Sequence, residues 1–211
     1  MSLFLTGTDT GVGKTFTAVS LLRVLRAQGL RCAGMKPICC GDRNDAELLL
    51  AASSEGLTID EVNPVWLKTP AAPLSAALIE DFAVETAPLL AGLTALQRRF
   101  DFVVVEGVGG WLVPIREDYF VSDLAEEMGL PVLVVAMNRL GCLNHTMLTV
   151  RSIAAGGLKC MGVILNSGGD VDVAVNTNGE ILSKIAGVPI LPEIATNGDA
   201  LSSGWRQILR V

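Results

Sequence analysis

Nine residues near the start of the chain, Gly7-Thr8-Asp9-Thr10-Gly11-Val12-Gly13-Lys14-Thr15, combine glycines, a lysine and a hydroxyl in an order that suits phosphate. Gly11 and Gly13 let backbone N–H groups converge on phosphate oxygens, and a helix starting here adds the positive end of its dipole. Lys14 has the length to reach the terminal phosphates, and the Thr15 hydroxyl is a ligand for Mg2+. The spacing departs from the usual G-x-x-x-x-G-K-[ST]: Thr8 stands at the strict place of the first glycine and Gly7 lies one residue upstream. The phosphate-binding groups survive that shift. A glycine-rich turn with an exposed lysine is the plain alternative.

Three more segments carry charge to suitable places. Gly34-Met35-Lys36-Pro37 closes an apolar run with a lysine, where the carboxyl end of a parallel strand would meet a nucleotide crevice. A surface lysine ending a strand accounts for it equally well. Asn44-Asp45-Ala46 opens a helical stretch, Asp45–Ala52, in which Asp45 could equally be an ordinary cap. Phe102–Val105 runs into Glu106-Gly107-Val108-Gly109-Gly110, an acid at a glycine-rich turn after four apolar residues, as in a Walker-B-like Mg2+ site. Together Thr15, Asp45 and Glu106 would offer Mg2+ three oxygens and leave positions for water and phosphate.

Such groups need a scaffold that gathers strand ends. Apolar runs of strand length occur at Leu3–Thr6, Cys32–Lys36, Phe102–Glu106, Pro131–Met137, Met161–Asn166 and Val188–Leu191. Between them the apolar spacing is helical: Thr15–Gln28 carries Phe16, Val19, Leu22 and Leu25 and stops at Gly29, and Thr86–Arg99, His145–Ala155 and Asn176–Ala186 are similar. Strands apolar on both faces and alternating with helices predict an α/β fold, a doubly wound, mostly parallel sheet of the P-loop NTPase type. The 211 residues suit one domain over 1–211. Gly56–Ala77, with Pro64, Pro70 and Pro73, has no clear period, and a short strand is expected at Val62–Trp66.

Composition narrows the function. Half of the residues are hydrophobic and 18% are charged, which excludes disorder for most of the chain. The 16 basic residues against 22 acidic ones give a net charge of −6, so no global positive field would hold nucleic acid or an anionic membrane. An anionic ligand must therefore be held locally. The five cysteines form no C-x-x-C pair and no metal-ligand pattern with His145, the single histidine, and no apolar run has the length of a signal or a membrane span. A cytoplasmic protein is expected. The adjacent Cys39 and Cys40 offer neither a relaxed disulfide nor a second ligand pair.

The segments G-T-D-T-G-V-G-K-T (Gly7–Thr15), A-G-M-K-P (Ala33–Pro37), N-D-A (Asn44–Ala46), V-E-G-V-G-G-W (Val105–Trp111) and L-G-C-L-N-H-T-M-L-T (Leu140–Thr149) together resemble the dethiobiotin synthetase family, over nearly the whole chain. The resemblance implies ATP-dependent ring closure of 7,8-diaminopelargonic acid with CO2 or bicarbonate, in biotin biosynthesis. A carbamate and a carbamic–phosphoric anhydride would be the intermediates. It implies that Lys36 and Lys14 contact the carbamate or the transferring phosphoryl group, and that Thr15, Asp45 and Glu106 hold Mg2+. Gly11, Val12, Gly13, Lys14, Thr15, Phe16, Gly107, Val108 and Gly109 would border the nucleotide. Asn166 and Ser167 would meet the adenine edge, with Ala195, Thr196 and Asn197 flanking the base; a turn-forming asparagine is the alternative for Asn166. Thr10 and Cys40 would border the diamine. Its carboxylate would meet Gly141, Cys142, Leu143 and Asn144 contributed by a partner subunit, which implies a homodimer.

Three departures from the resemblance matter: Cys40 stands where a small hydroxyl residue is frequent, Ala195 replaces a frequent proline, and the Lys36–Asp45 loop is short. The competing reading is a partitioning-type ATPase switch. Such proteins carry a signature lysine early in the loop, and Asp9 stands there instead.

Overall fold

The computed structural model describes residues 1–168, 173–194 and 205. In chain order the elements are β1 (Ser2–Gly7), α1 (Lys14–Ala27), β2 (Cys32–Met35), β3 (Ile38–Cys40), α2 (Asn44–Ala52), α3 (Ile59–Val62), β4 (Val65–Leu67), α4 (Pro73–Glu80) and α5 (Ala87–Arg99). There follow β5 (Phe102–Gly110), β6 (Pro114–Arg116), β7 (Tyr119–Phe120), α6 (Val121–Met128), β8 (Val132–Met137), α7 (Cys142–Ala155), β9 (Cys160–Asn166), α8 (Val175–Ile185) and β10 (Ile190–Leu191).

Among the described residues the main sheet has the order β10-β9-β8-β1-β5-β2, and every pairing in it is parallel. β1 lies between β5 and β8, with Phe4 opposite Val105 on one side and Val132 on the other. Alternation along the strands divides the core into two layers. Leu3, Leu5, Phe102, Val104, Leu133 and Val135 pack with Leu21, Leu22 and Leu25 of α1, while Phe4, Val103, Val105, Val132 and Val134 pack with Leu93 of α5, Leu124 of α6 and Ile153 of α7. Each such fully buried side chain contributes about 1.5–3 kcal/mol over an exposed one. With helices on both faces the sheet is doubly wound, and the connections leaving β1 and its neighbours open a crevice at the strands' carboxyl ends.

Four local expectations change. The glycines after Glu106 are not a turn: β5 runs on to Gly110, which pairs with Gly7 beyond an irregularity in register. The short strand is β4, Val65–Leu67, and Val62 instead ends the one-turn helix α3. β4 pairs with β3 in a separate parallel ladder, placing Cys40 opposite Leu67. α7 begins at Cys142 rather than His145, after Gly141 in the left-handed region at φ 91°. Finally, Asp45 does not cap α2. The helix starts at Asn44, whose N–H meets Asp42 Oδ1, so the Asp45 carboxylate is available for other work.

Candidate active site

Four strand or helix ends meet in one cavity of ≈ 700 Å³. β1 and α1 frame the phosphate loop. Gly11 and Gly13 both have positive φ, 73° and 92°, a backbone state that favours glycine. A Cβ on Gly7 would lie 2.8 Å from Asp9 O and from Val12 Cγ2, so the start of the loop also tolerates no side chain. Lys14 turns back over the loop, its Nζ donating to the Asp9 carbonyl at 3.1 Å.

The acids and the lysine expected at the strand and helix ends come together. Lys36 Nζ donates to Glu106 Oε1 at 2.6 Å, to Asp45 Oδ2 at 2.9 Å and to the Gly107 carbonyl at 3.2 Å. Thr15 Oγ1 lies 2.7 Å from Asp45 Oδ1 and 2.8 Å from Glu106 Oε1. Lys36 and Glu106 are buried; Asp45 is half-exposed toward the cavity. Burial by itself would pull the Lys36 ammonium down, but the facing Glu106 and Asp45 outweigh it and raise its pKa. For Asp45, burial pushes upward, and Lys36, Thr15 and Lys14 together hold the carboxyl below its ordinary value. Lys14 is different: burial, then repulsion from Lys36, lower it to about 8. Lys14 and Lys36 thus stand beside Asp45 and Glu106 in one site.

Asn63 is a positioning residue that sequence reading missed. Fully buried, it donates from one amide nitrogen to the carbonyls of Lys36 and Val65, both at 2.8 Å, and accepts from Arg43 Nε at 2.8 Å. The Lys36 N–H in turn donates to the Val62 carbonyl. These bonds tie the end of β2 to β4. The sequence placed Asn63 inside an expected strand, Val62–Trp66, and gave no sign of its bond to Lys36, 27 residues upstream. Another part of the wall was missed as well: Pro70, Ala71, Ala72 and Pro73 also line the cavity.

Of the other expected residues, Thr10, Phe16, Cys40, Val108 and Gly109 line the same cavity. Burial raises the Cys39 and Cys40 thiols to about 11, so neither is a thiolate near neutrality. Val12 is buried beneath the loop, and Asn166 sits against it rather than in the cavity wall. The Ser167 N–H donates to Glu193 Oε1. Ala195, Thr196 and Asn197 lie outside the described residues. Residues 141–144 do not line the cavity; neighbouring His145 lines an adjoining one of ≈ 310 Å³ with Asp9, Thr10, Trp111 and Leu148.

Among the described residues no three His, Cys, Asp or Glu side chains converge as a metal cage. The site instead offers two carboxylates and a hydroxyl, a set that fits Mg2+, because that ion keeps waters and phosphate oxygens in its shell. Glu106 Oε2 supports the fit: it is buried and has no hydrogen-bond partner.

A parallel sheet whose first strand feeds a glycine loop and lysine onto a helix, with an acid on the adjacent strand, defines a P-loop nucleotide-binding protein. Solved structures share that fold. The septum site-determining protein MinD of Pyrococcus horikoshii, complexed with Mg-ADP, aligns with a TM-score of 0.56 over 92% of this chain and 82% of its own, at 16% identity. The signal recognition particle receptor FtsY of Elizabethkingia anophelis, in complex with GDP, aligns with a TM-score of 0.57 over 98% and 61%, at 15% identity. At such identities only the fold is common. A family model described as an AAA domain matches residues 1–200.

Sequence relatives are more specific. The ATP-dependent dethiobiotin synthetase of Akkermansia muciniphila is 42% identical over 199 residues, 94% of this chain and 93% of the relative. That of Anaeromyxobacter dehalogenans is 42% identical over 212 aligned positions, 95% of each chain. The chain belongs to the dethiobiotin synthetase family, ATP-dependent ligases of biotin biosynthesis.

Proposed function

We propose that this enzyme closes the ureido ring of dethiobiotin from 7,8-diaminopelargonic acid, CO2 and MgATP. The observation that carries the reading is the position of Lys36 Nζ, held by Glu106 and Asp45 in the cavity that the phosphate loop also lines. Its raised pKa makes it a fixed positive charge and not a base.

One substrate amine adds to CO2, losing a proton and forming a carbamate. A carbamate oxygen then attacks the γ-phosphorus of ATP; the bond to the bridging oxygen breaks and ADP leaves. The neighbouring amine attacks the carbon of the resulting mixed anhydride and loses a proton, the bond from that carbon to the phosphate oxygen breaks, phosphate departs, and the cyclic urea is closed. The protein's contribution is placement and charge neutralisation. Lys14 and the Gly11–Lys14 amides hold the phosphates, and Lys36 faces the oxygens that accumulate charge. Mg2+, held by Thr15, Asp45 and Glu106, would neutralise the phosphate oxygens. Thr10 and Cys40 border the diamine from the cavity wall, and Asn166 and Ser167 lie on the adenine side.

The substrate is long, and its carboxylate must end away from the phosphate loop. We assign it to the start of α7 in the second chain of a homodimer, Gly141–Asn144. The Cys142 N–H already donates to the Arg139 carbonyl, which leaves Leu143 and Asn144 to supply the opening amides of the helix. Exposed Leu112 and Leu148 beside the adjoining cavity would lie in the interface. No helix among the described residues is long and apolar enough to cross a membrane, and all five cysteines are free thiols, which supports a cytoplasmic enzyme.

The test is turnover of MgATP with and without the diamine and bicarbonate, following ADP and dethiobiotin by mass spectrometry. Equal amounts of the two products are expected. Hydrolysis indifferent to the diamine, with no cyclic urea, would favour a nucleotide switch and end this reading.

A further inference from the structure

The side-chain amide of Asn166 ends β9 but does its bonding 153 and 154 residues away, in the phosphate loop. Nδ2 donates to the Val12 carbonyl at 2.8 Å and lies 3.3 Å from the Gly13 carbonyl. Both partners are acceptors, so they fix which end of the amide faces the loop. The approach is close enough that a Cβ on Gly13 would stand 2.2 Å from Nδ2. Asn166 is itself anchored: it is buried, pairs with Met137, and its carbonyl accepts from the Asn138 N–H at 2.9 Å.

The consequence follows from peptide geometry. In a trans peptide the C=O of one residue and the N–H of the next point in opposite directions. Pinning the Val12 carbonyl therefore aims the Gly13 N–H to the far side of the loop, and pinning the Gly13 carbonyl does the same for the Lys14 N–H. The Gly13 carbonyl also accepts the first bond of α1, from the Thr17 N–H at 3.0 Å, so loop and helix share this fastening. Val12 and Gly13 are otherwise part of a loop in which two glycines adopt left-handed φ, and an unfastened glycine loop samples many amide directions.

We propose that Asn166 is a positioning residue for phosphate binding: its amide clamps the Val12 and Gly13 carbonyls and so presets the phosphate-facing N–H groups, independently of any contact with a base. This rests on the loop's being the triphosphate site. It separates Asn166 from a residue that only reads adenine, since a clamp acts on a ligand that has no base.

The probe is Mg-tripolyphosphate, compared with MgATP by calorimetry on wild type and Asn166→Ala. Both affinities are expected to fall by about tenfold, the worth of a lost buried hydrogen bond, with their ratio nearly kept. Hydrogen exchange without nucleotide should quicken at residues 11–15 while β8 and β9 keep their protection. Loss of ATP affinity with tripolyphosphate unchanged would overturn the clamp, as would loosening spread evenly over β9. Wild type that binds ATP but not tripolyphosphate would do the same, whereas wild type that binds neither would refute the loop's assignment itself. Should the alanine variant fail to fold, Asn166→Asp keeps the shape and replaces the donor by an acceptor. It should show the same local loosening, and an unchanged exchange pattern there would refute the proposal.

Discussion

Lys36 Nζ stands 2.6 Å from Glu106 Oε1, and the two side chains are 4% and 0% exposed. A carboxylate so placed depends on its cation, because removing one partner leaves a charge out of water. Lys36→Met is expected to lose ring closure and to destabilise the protein by about 3–5 kcal/mol in denaturant unfolding. The double variant Lys36→Met/Glu106→Gln should regain most of that stability and none of the turnover. If the single variant unfolds at the wild-type midpoint, the pair is not the ionic contact described here.

Lys14 gives the protein a pH dependence. Burial, and then Lys36, lower its pKa to about 8 from 10.5. Between those values the unfolded chain holds more protons than the folded one, so without nucleotide the stability rises with pH through that window. Phosphate beside Lys14 favours the ammonium and raises the pKa again. MgATP binding near pH 8.5 should therefore take up protons, and affinity should decline as pH climbs above about 8. Calorimetry in two buffers of different ionisation enthalpy measures the uptake. Lys14→Arg, which cannot titrate there, should show none from this position.

The legible and illegible parts of the site divide on range. The loop from Gly7 to Thr15 is a local pattern, and so are a lysine or an acid closing an apolar run, as at Lys36 and Glu106. Asp45 was ambiguous, because an acid at a helix start explains itself as a cap until the helix is seen to begin at Asn44. Glu106–Gly110 read as a turn since glycines weaken strands; pairing with β1, including Gly7 with Gly110, overrides that tendency. The β3–β4 ladder and the Pro70–Pro73 wall stayed hidden for another reason. Three-residue strands and an eight-residue helix are too short to express a period, and their partners are distant in sequence.

Metal dependence should track the two carboxylates unequally. Asp45 is half-exposed and Glu106 is buried with an unpartnered Oε2. Asp45→Asn is expected to raise the Mg2+ concentration needed for half-maximal turnover by about tenfold, with full rate recovered at high metal. Glu106→Gln should not recover, because it also removes the counter-charge of Lys36. Chelation with EDTA should stop wild-type turnover reversibly. A Glu106→Gln enzyme rescued by Mg2+ alone would contradict this division of roles.

The placement of the substrate carboxylate can be tested by mixing two inactive chains. Leu143 is the second residue of α7, where a proline is tolerated within the first turn while its N–H is lost. Leu143→Pro should therefore keep the fold and ATP binding but weaken the carboxylate cradle; Lys36→Met keeps the cradle and loses the chemistry. If each cradle serves the neighbouring chain, a mixed dimer has one site with both groups intact and one with neither. Random re-association should then restore about a quarter of wild-type turnover from two nearly dead preparations. If the cradle served its own chain, every site in the mixture would lack one group or the other and no activity would return. Leu148→Asp, which puts a charge on the exposed face beside the adjoining cavity, gives the companion result. In sedimentation velocity it should run as a monomer that still binds MgATP, and mixing it with either variant should restore nothing.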